Sequence, residues 1–124
     1  FAPLENAADS LTRAAERYAK AYDQALGQGD ASRASASLDA VNGILTKSEH
    51  VLTDPRGLPM RPWFQHLLYA PGFYTGYGVK TIPAVREAIE QGKYGEVDEA
   101  MSRVSAVVNA EAALVDQAAT ALSK

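Results

Sequence analysis

Apolar positions repeat along most of this chain in alternating steps of four and three, the rhythm of one face of an α-helix. Leu4, Ala8, Leu11, Ala15, Tyr18, Tyr22 and Ala25 form a first stripe, opposite Glu5, Asp9, Arg13, Glu16, Arg17, Lys20 and Asp23, and predict a helix of about six turns. Gly27 and Gly29 end it, because glycine is the usual residue just past a helix, and Asp30 offers an N-cap for the next. Ala34, Leu38, Val41, Leu45, Ser48 and Leu52 carry a second stripe up to Asp54-Pro55, where the proline pushes its predecessor out of the α region. Ile82-Pro83 then open a short helix through about Gln91, with Gly92 and Gly95 punctuating its end. The last helix runs from about Glu96 to Ala121, with Val97, Met101, Val104, Val108, Val115, Ala118 and Leu122 on one seam. Glu111 shares that seam and reads as a partly exposed or paired acid at the bundle edge.

Between the second and third helices the rhythm stops. Residues 53–81 show neither helical nor strand periodicity over 29 positions, whereas unstructured loops beyond ~12–15 residues are uncommon in compact domains and are usually functional or disordered. Disorder fits poorly, since this segment holds six of the ten aromatic residues, and disordered segments are poor in them. Four prolines and four glycines set its turns. The segment is therefore expected to be an ordered, aromatic-rich excursion, built to pack against something and to present side chains. Three long helices, one short helix and no strand pattern predict an all-α, up-and-down bundle with this aromatic, Pro- and Gly-rich loop inserted in it. Alanine is abundant on every helix, so helices can approach closely, and a bundle with few large core residues suits pairing with another domain or a second copy.

A chain of 124 residues makes one domain, 1–124, large enough to close a core without staples. Its lack of cysteine excludes thiol chemistry, disulfides and Cys-ligated zinc. A net charge of −3 argues against nucleic acid as a partner. The excursion alone is net positive, with Arg56, Arg61 and Lys80 against Asp54. The opening Phe1-Ala-Pro-Leu-Glu5 has no initiating Met and no signal-peptide pattern, which leads to the expectation of a domain excised from a larger polypeptide or a processed product.

Candidate chemistry is sparse. Neither His50 nor His66 has a second ligand at a metal-like spacing, and no nucleophile elbow, P-loop or dinucleotide-binding glycine pattern is present. The carboxylates on the helices alternate with basic residues as on a solvated face. Within the excursion, Trp63, Phe64, Leu67 and Leu68 are expected to fill the end of the bundle, and His66 and Tyr69 to make structural hydrogen bonds. Tyr77 stands apart. Gly76 and Gly78 on either side let the backbone approach another surface and leave one phenol projecting, able to donate to a carboxylate or an oxyanion.

The run Asp54-Pro-Arg-Gly-Leu-Pro-Met-Arg-Pro-Trp-Phe-Gln-His-Leu-Leu-Tyr-Ala-Pro71, followed by Tyr77 and Pro83, resembles the transferrin-receptor-like dimerisation domain, the C-terminal helical domain of the glutamate carboxypeptidase II (prostate-specific membrane antigen) family. The pattern D-P-x-G-L-P-x-R-P-aromatic-x-x-H-x-x-Y-A-P is matched over eighteen residues without a gap. A looser likeness covers the rest of the chain, from Leu4-Glu-Asn-Ala-Ala-Asp-Ser-Leu11 to the last helix opening Gly95-Glu-Val97, with a shorter stretch between the first helix and Asp54. The resemblance makes Pro55, Gly57, Pro59, Arg61, Pro62, Tyr69 and Pro71 structural positions of the loop.

That resemblance implies a peptidase whose two zinc ions and catalytic glutamate belong to a separate, preceding protease domain, so this chain carries no catalytic residue, no metal ligand and no cofactor of its own. It implies a homodimer formed through helical faces, a loop that completes the pocket for the C-terminal residue of a peptide substrate, and an extracytoplasmic location: secreted, periplasmic or on a membrane-anchored ectodomain. A receptor-type relative without peptidase activity, or a free-standing helical protein that grips a small ligand in its aromatic loop, are the competing readings. In the family a Lys-Tyr pair holds the glutamate side chain of the substrate. Tyr77 matches the tyrosine, Gly76 stands where the lysine would be, and Tyr74, His66 and Lys80 are further candidate contacts on the same loop. A charge-assisted hydrogen bond is worth about 1.5–3 kcal/mol, so its loss removes roughly one to two orders of magnitude of preference for glutamate. On a panel of dipeptides the full-length enzyme is accordingly expected to favour a C-terminal glutamate by less than about a hundredfold, and a larger ratio contradicts the weight given to Gly76.

Overall fold

A computed structural model of the chain describes residues 1–27 and 31–124, the side chains of residues 31–34 excepted. The structure is mostly helical. Helix α1 spans Ala2–Gly27, α2 Ala31–Leu45, α3 Ser48–Val51, α4 Pro83–Glu90 and α5 Tyr94–Leu122. Strands β1 (Tyr69–Pro71) and β2 (Val79–Thr81) lie between α3 and α4. The predicted N-cap Asp30 and the glycine at position 29 lie outside the described residues.

Helix α5 is the spine. Its buried residues include Ala100, Met101, Val104, Val107, Val108, Ala112, Leu114, Ala118 and Leu122, more than one face's worth, because α1, α2, α3 and α4 all pack on it. The first helix runs alongside in the same direction: Ala7 sits in a cluster with Val104, and Ala21 in another with Ala118 and Leu122. Helix α2 returns the other way, with Val41 sharing the second cluster.

The stripe on α1 is rotated from the one its sequence suggests. Ala7, Ala14 and Ala21 are buried, flanked by half-buried Leu4, Leu11, Tyr18 and Ala25, while Ala8, Ala15 and Tyr22 face solvent. Both sets repeat in steps of four and three. The close approach of α5 selects the set whose intervening members are all alanine, since a tyrosine at the Ala21 seat would hold the two backbones apart.

Two boundaries also differ from expectation. The second helix breaks at Thr46–Lys47, where the Thr46 hydroxyl donates to the Gly43 carbonyl at 3.1 Å and the Lys47 N–H reaches Ile44 at 3.0 Å, a tighter pattern than the α ladder. The one-turn helix α3 follows. Gly95 does not separate α4 from α5 but lies in the first turn of α5. Termination of α4 rests on Gly92 at φ +69°, whose N–H bonds the Ile89 carbonyl while that of Lys93 bonds Ala88, a Schellman closure.

The excursion is not free of strand. Strands β1 and β2 pair antiparallel, Tyr69 with Thr81, Ala70 with Lys80 and Pro71 with Val79. Three residues per strand are too few for alternation to show in the sequence. Glu111, on the α5 seam, is buried and accepts a 2.5 Å hydrogen bond from the Ser48 hydroxyl, tying α3 to the spine.

The rotated stripe separates two neighbouring alanines. Ala14→Leu, at a fully buried position, is expected to cost about 1–3 kcal/mol in urea unfolding through overpacking. Ala15→Leu, on the exposed face, stays within about 0.5 kcal/mol of the parent.

Candidate functional site

The excursion folds as two parts around a polar frame. Its first part, residues 53–67, is closed by backbone hydrogen bonds from Asp54 N–H to Gln65 at 2.9 Å, Leu58 N–H to Phe64 at 2.8 Å and Leu67 N–H to Leu52 at 3.0 Å. Gly57 has φ +67°, and a Cβ there would strike the Pro62 carbonyl, so the position admits only glycine. At the turn Leu58-Pro59-Met60-Arg61, closed by the Arg61 N–H on the Leu58 carbonyl at 3.1 Å, Met60 takes φ +62°, a seat that such turns normally give to glycine. Met60 is nonetheless 68% exposed.

Two arginines fasten this part to the helices. Arg103 of α5 donates to Asp54 at 2.9 Å and to the Gly57 carbonyl at 2.6 Å. Asp54 also accepts from the side chain and the backbone N–H of Arg56. The Arg56 hydrogen bonds first, then those of Arg103, hold the Asp54 carboxyl far below the usual carboxylate range, against the opposing effect of burial. Arg61 is 3% exposed and donates at 2.6 Å to Glu87 of α4, itself buried.

The second part is the hairpin. Its tip, residues 72–78, carries Phe73, Tyr74 and Tyr77, and is internally closed by the Gly72 N–H on the Gly78 carbonyl at 3.1 Å and the Gly78 N–H on Thr75 at 3.3 Å. Gly76 has φ +61° in open space, so a lysine there would meet backbone strain and no steric obstacle. Tyr77 is fully exposed and Tyr74 is 77% exposed, with Phe73 set edge-on to Tyr74 at 4.7 Å. A hydrogen bond from the Phe73 N–H to Glu87 at 2.8 Å ties the tip to α4. Lys80 on β2 is engaged by Glu90 at 2.6 Å. Ile82, after β2, is held at φ +39°, a costly conformation for a β-branched residue, with its N–H on Leu68 at 2.7 Å and its carbonyl accepting from Val85 and Arg86.

His66 and Tyr69 make the hydrogen bonds expected of them. The His66 Nδ1 accepts from the N–H groups of Leu68 and Tyr69 at 3.3 and 3.4 Å, its ring lies tilted by 33° against that of Tyr69 with centroids 4.0 Å apart, and the Tyr69 hydroxyl donates to Glu49 at 3.0 Å. That donation raises the Tyr69 pKa above its ordinary value. Leu67 is buried, and Phe64 and Leu68 are half-buried, as a bundle end requires. Trp63 departs from expectation: it is 71% exposed. The interior seat goes to Arg61, and the turn that brings the Phe64 N–H onto the Arg61 carbonyl throws Pro62 and Trp63 outward. Sequence reasoning missed Glu87 and Arg103, which sit on helices among exposed charges. The four-residue steps Ala84–Ala88 and Ala100–Val104, on faces adjoining each, were the available signal.

Among the described residues no group of three or more His, Asp or Glu side chains is placed to hold a metal ion. The chain is thus a helical domain that presents an anchored aromatic loop. Residues 1–116 match the transferrin receptor-like dimerisation domain model, and the chain belongs to that family. It is 39% identical over 64 residues, about half of the chain, to the "Probable glutamate carboxypeptidase LAMP1" of Arabidopsis thaliana, and 37% identical over 59 residues to a "Probable glutamate carboxypeptidase" of Arthroderma benhamiae. It spans 9% and 8% of the length of those relatives.

Stability should track the Asp54 frame. A carboxyl whose pKa is lowered on folding contributes fully above its unfolded value, about 3.9, and loses that contribution as pH falls toward the folded one. Asp54→Asn is expected to lower stability at pH 7 and to flatten its decline between about pH 5 and pH 2, as read from urea midpoints.

Proposed function

We propose that this chain is the homodimerisation and pocket-completing domain of a two-zinc exopeptidase of carboxypeptidase or aminopeptidase type, and that it does not catalyse alone. The observation that carries the reading is Tyr77, a fully exposed phenol without a partner of its own among the described residues, at the tip of a hairpin tied to a rigid helical body. A loop built only to cover its own core would turn such a side chain inward. The phenol donates a hydrogen bond to a substrate carboxylate in a cleft supplied by the rest of the polypeptide.

The names of the relatives favour a peptidase over a receptor without activity. The zinc ions belong, on this reading, to the preceding protease domain. Self-pairing uses the helical faces, among them an open groove between α2 and α5 where Ala40, Ile44 and Ala113 alternate with Asp116, Gln117 and Thr120. The parent is extracytoplasmic on this reading; no described helix is long and apolar enough to cross a membrane.

The full-length polypeptide is expected to sediment as a dimer, whereas residues 1–124 alone pair weakly, with Kd above about 1 µM, because part of the interface is protease-domain surface. In the full-length enzyme Tyr77→Phe is expected to raise KM about tenfold with kcat within about twofold. A monomeric parent sinks the pairing role, and an unchanged KM sinks the pocket role.

A further inference from the structure

Glu87 divides its carboxylate between two tasks. One oxygen accepts from the buried Arg61 guanidinium at 2.6 Å, and the other accepts the Phe73 N–H at 2.8 Å. Arg61 lies under the Phe73 ring as well, its guanidinium carbon 5.6 Å from the ring centroid. Phe73 is the second residue of the tip, and Tyr77 lies four residues further on. The other hydrogen bonds of the tip run within it or along the hairpin: Gly72 to Gly78, Gly78 to Thr75, and the Thr75 hydroxyl to Gly78. Gly78 is held to Gly72 and Thr75 while Gly76 turns in open space at φ +61°, so the direction of the phenol depends on what holds the root of the turn.

Burial makes this joint stiff. Both side chains are withdrawn from water, at 4% and 10% side-chain exposure, and among the described residues neither forms a second ion pair. A carboxylate so held cannot rotate to release the Phe73 N–H without leaving a buried guanidinium unpaired. Arg61 already has Nε and Nη1 buried without a partner among the described residues, so the Glu87 contact carries its remaining polar satisfaction.

We infer that Glu87, braced by Arg61, is a positioning residue for substrate selection: it fixes the root of the hairpin tip and thereby the aim of the Tyr77 phenol. The inference rests on the pocket role given to Tyr77 above. It assigns a function to two residues that touch no substrate.

The test uses the full-length enzyme and two variants. Arg61→Met with Glu87→Met removes the buried pair without stranding a charge, an exchange that folded proteins commonly tolerate. Glu87→Gln keeps the shape but offers a neutral acceptor, and serves if the double variant fails to fold. Hydrogen exchange of peptides covering residues 72–78 is expected to accelerate about tenfold or more in the double variant and less in Glu87→Gln, with exchange in α1 and α5 unchanged. KM for a dipeptide is expected to rise about tenfold in the double variant with kcat within about twofold, and adding Tyr77→Phe to it should cost little more. Unchanged exchange at 72–78 in the folded variants overturns the clamp itself. Additive KM effects of the pair and of Tyr77→Phe overturn positioning. Faster exchange together with an unaltered KM for Tyr77→Phe alone overturns instead the premise about Tyr77, and the selectivity role falls with it.

Discussion

The ion pair between Arg61 and Glu87 is the joint on which the presented surface of this domain turns. A crossing of 29 residues has far more backbone freedom than three-residue strands can remove, and it carries a net positive charge against an acidic body. Placing Arg61 inside, on a carboxylate from α4, converts that charge imbalance into a fixed contact at 2.6 Å. Buried pairs of this kind add little net stability compared with apolar residues of the same size, but they penalise every arrangement that separates the partners. Here the arrangements excluded are those in which the hairpin swings away from α4. Arg103 does the same for the first half of the crossing, gathering Asp54 and the Gly57 carbonyl onto α5.

The helical body supplies what such joints require, a frame that does not yield. Helix α5 takes neighbours on several faces, and α1 lies against it through alanines that are almost without exposure. Small side chains at close approach leave little rotamer freedom to lose and little room to shift. Strain is concentrated instead in the crossing at Met60 and just past its end at Ile82, both at positive φ. Ile82 is stabilised by hydrogen bonds on either side and by packing against the first core cluster, while Met60 stands exposed. Local backbone strain of this kind persists only where surrounding contacts over-determine it.

Exposure of Met60, Trp63, Tyr74 and Tyr77 on one crossing agrees with a domain whose working surface completes something larger. The family to which the chain belongs is named for dimerisation, and relatives that are many times longer contain the matched stretch. A loop that is ordered by its own body, yet keeps its aromatic tips outside it, is preorganised for contact and loses little entropy on meeting a partner.

The residue pattern by itself determined that the chain is mostly helical, because periodicity of apolar positions is a local property that survives without knowledge of neighbours. It also set residues 53–81 apart from the helices, through proline, glycine and aromatic content and the eighteen-residue motif. Only the tertiary structure decided which of two four-three registers on α1 is buried, that Trp63 faces out while Arg61 goes in, that a short hairpin forms, and that Glu87 and Arg103 are anchors and not solvated charges. Each of those outcomes depends on a partner distant in sequence: α5 for α1, α4 for Arg61, and Thr81 for Tyr69. Local pattern fixes what a segment can form, and the partner it meets fixes which face, which charge and which register is used.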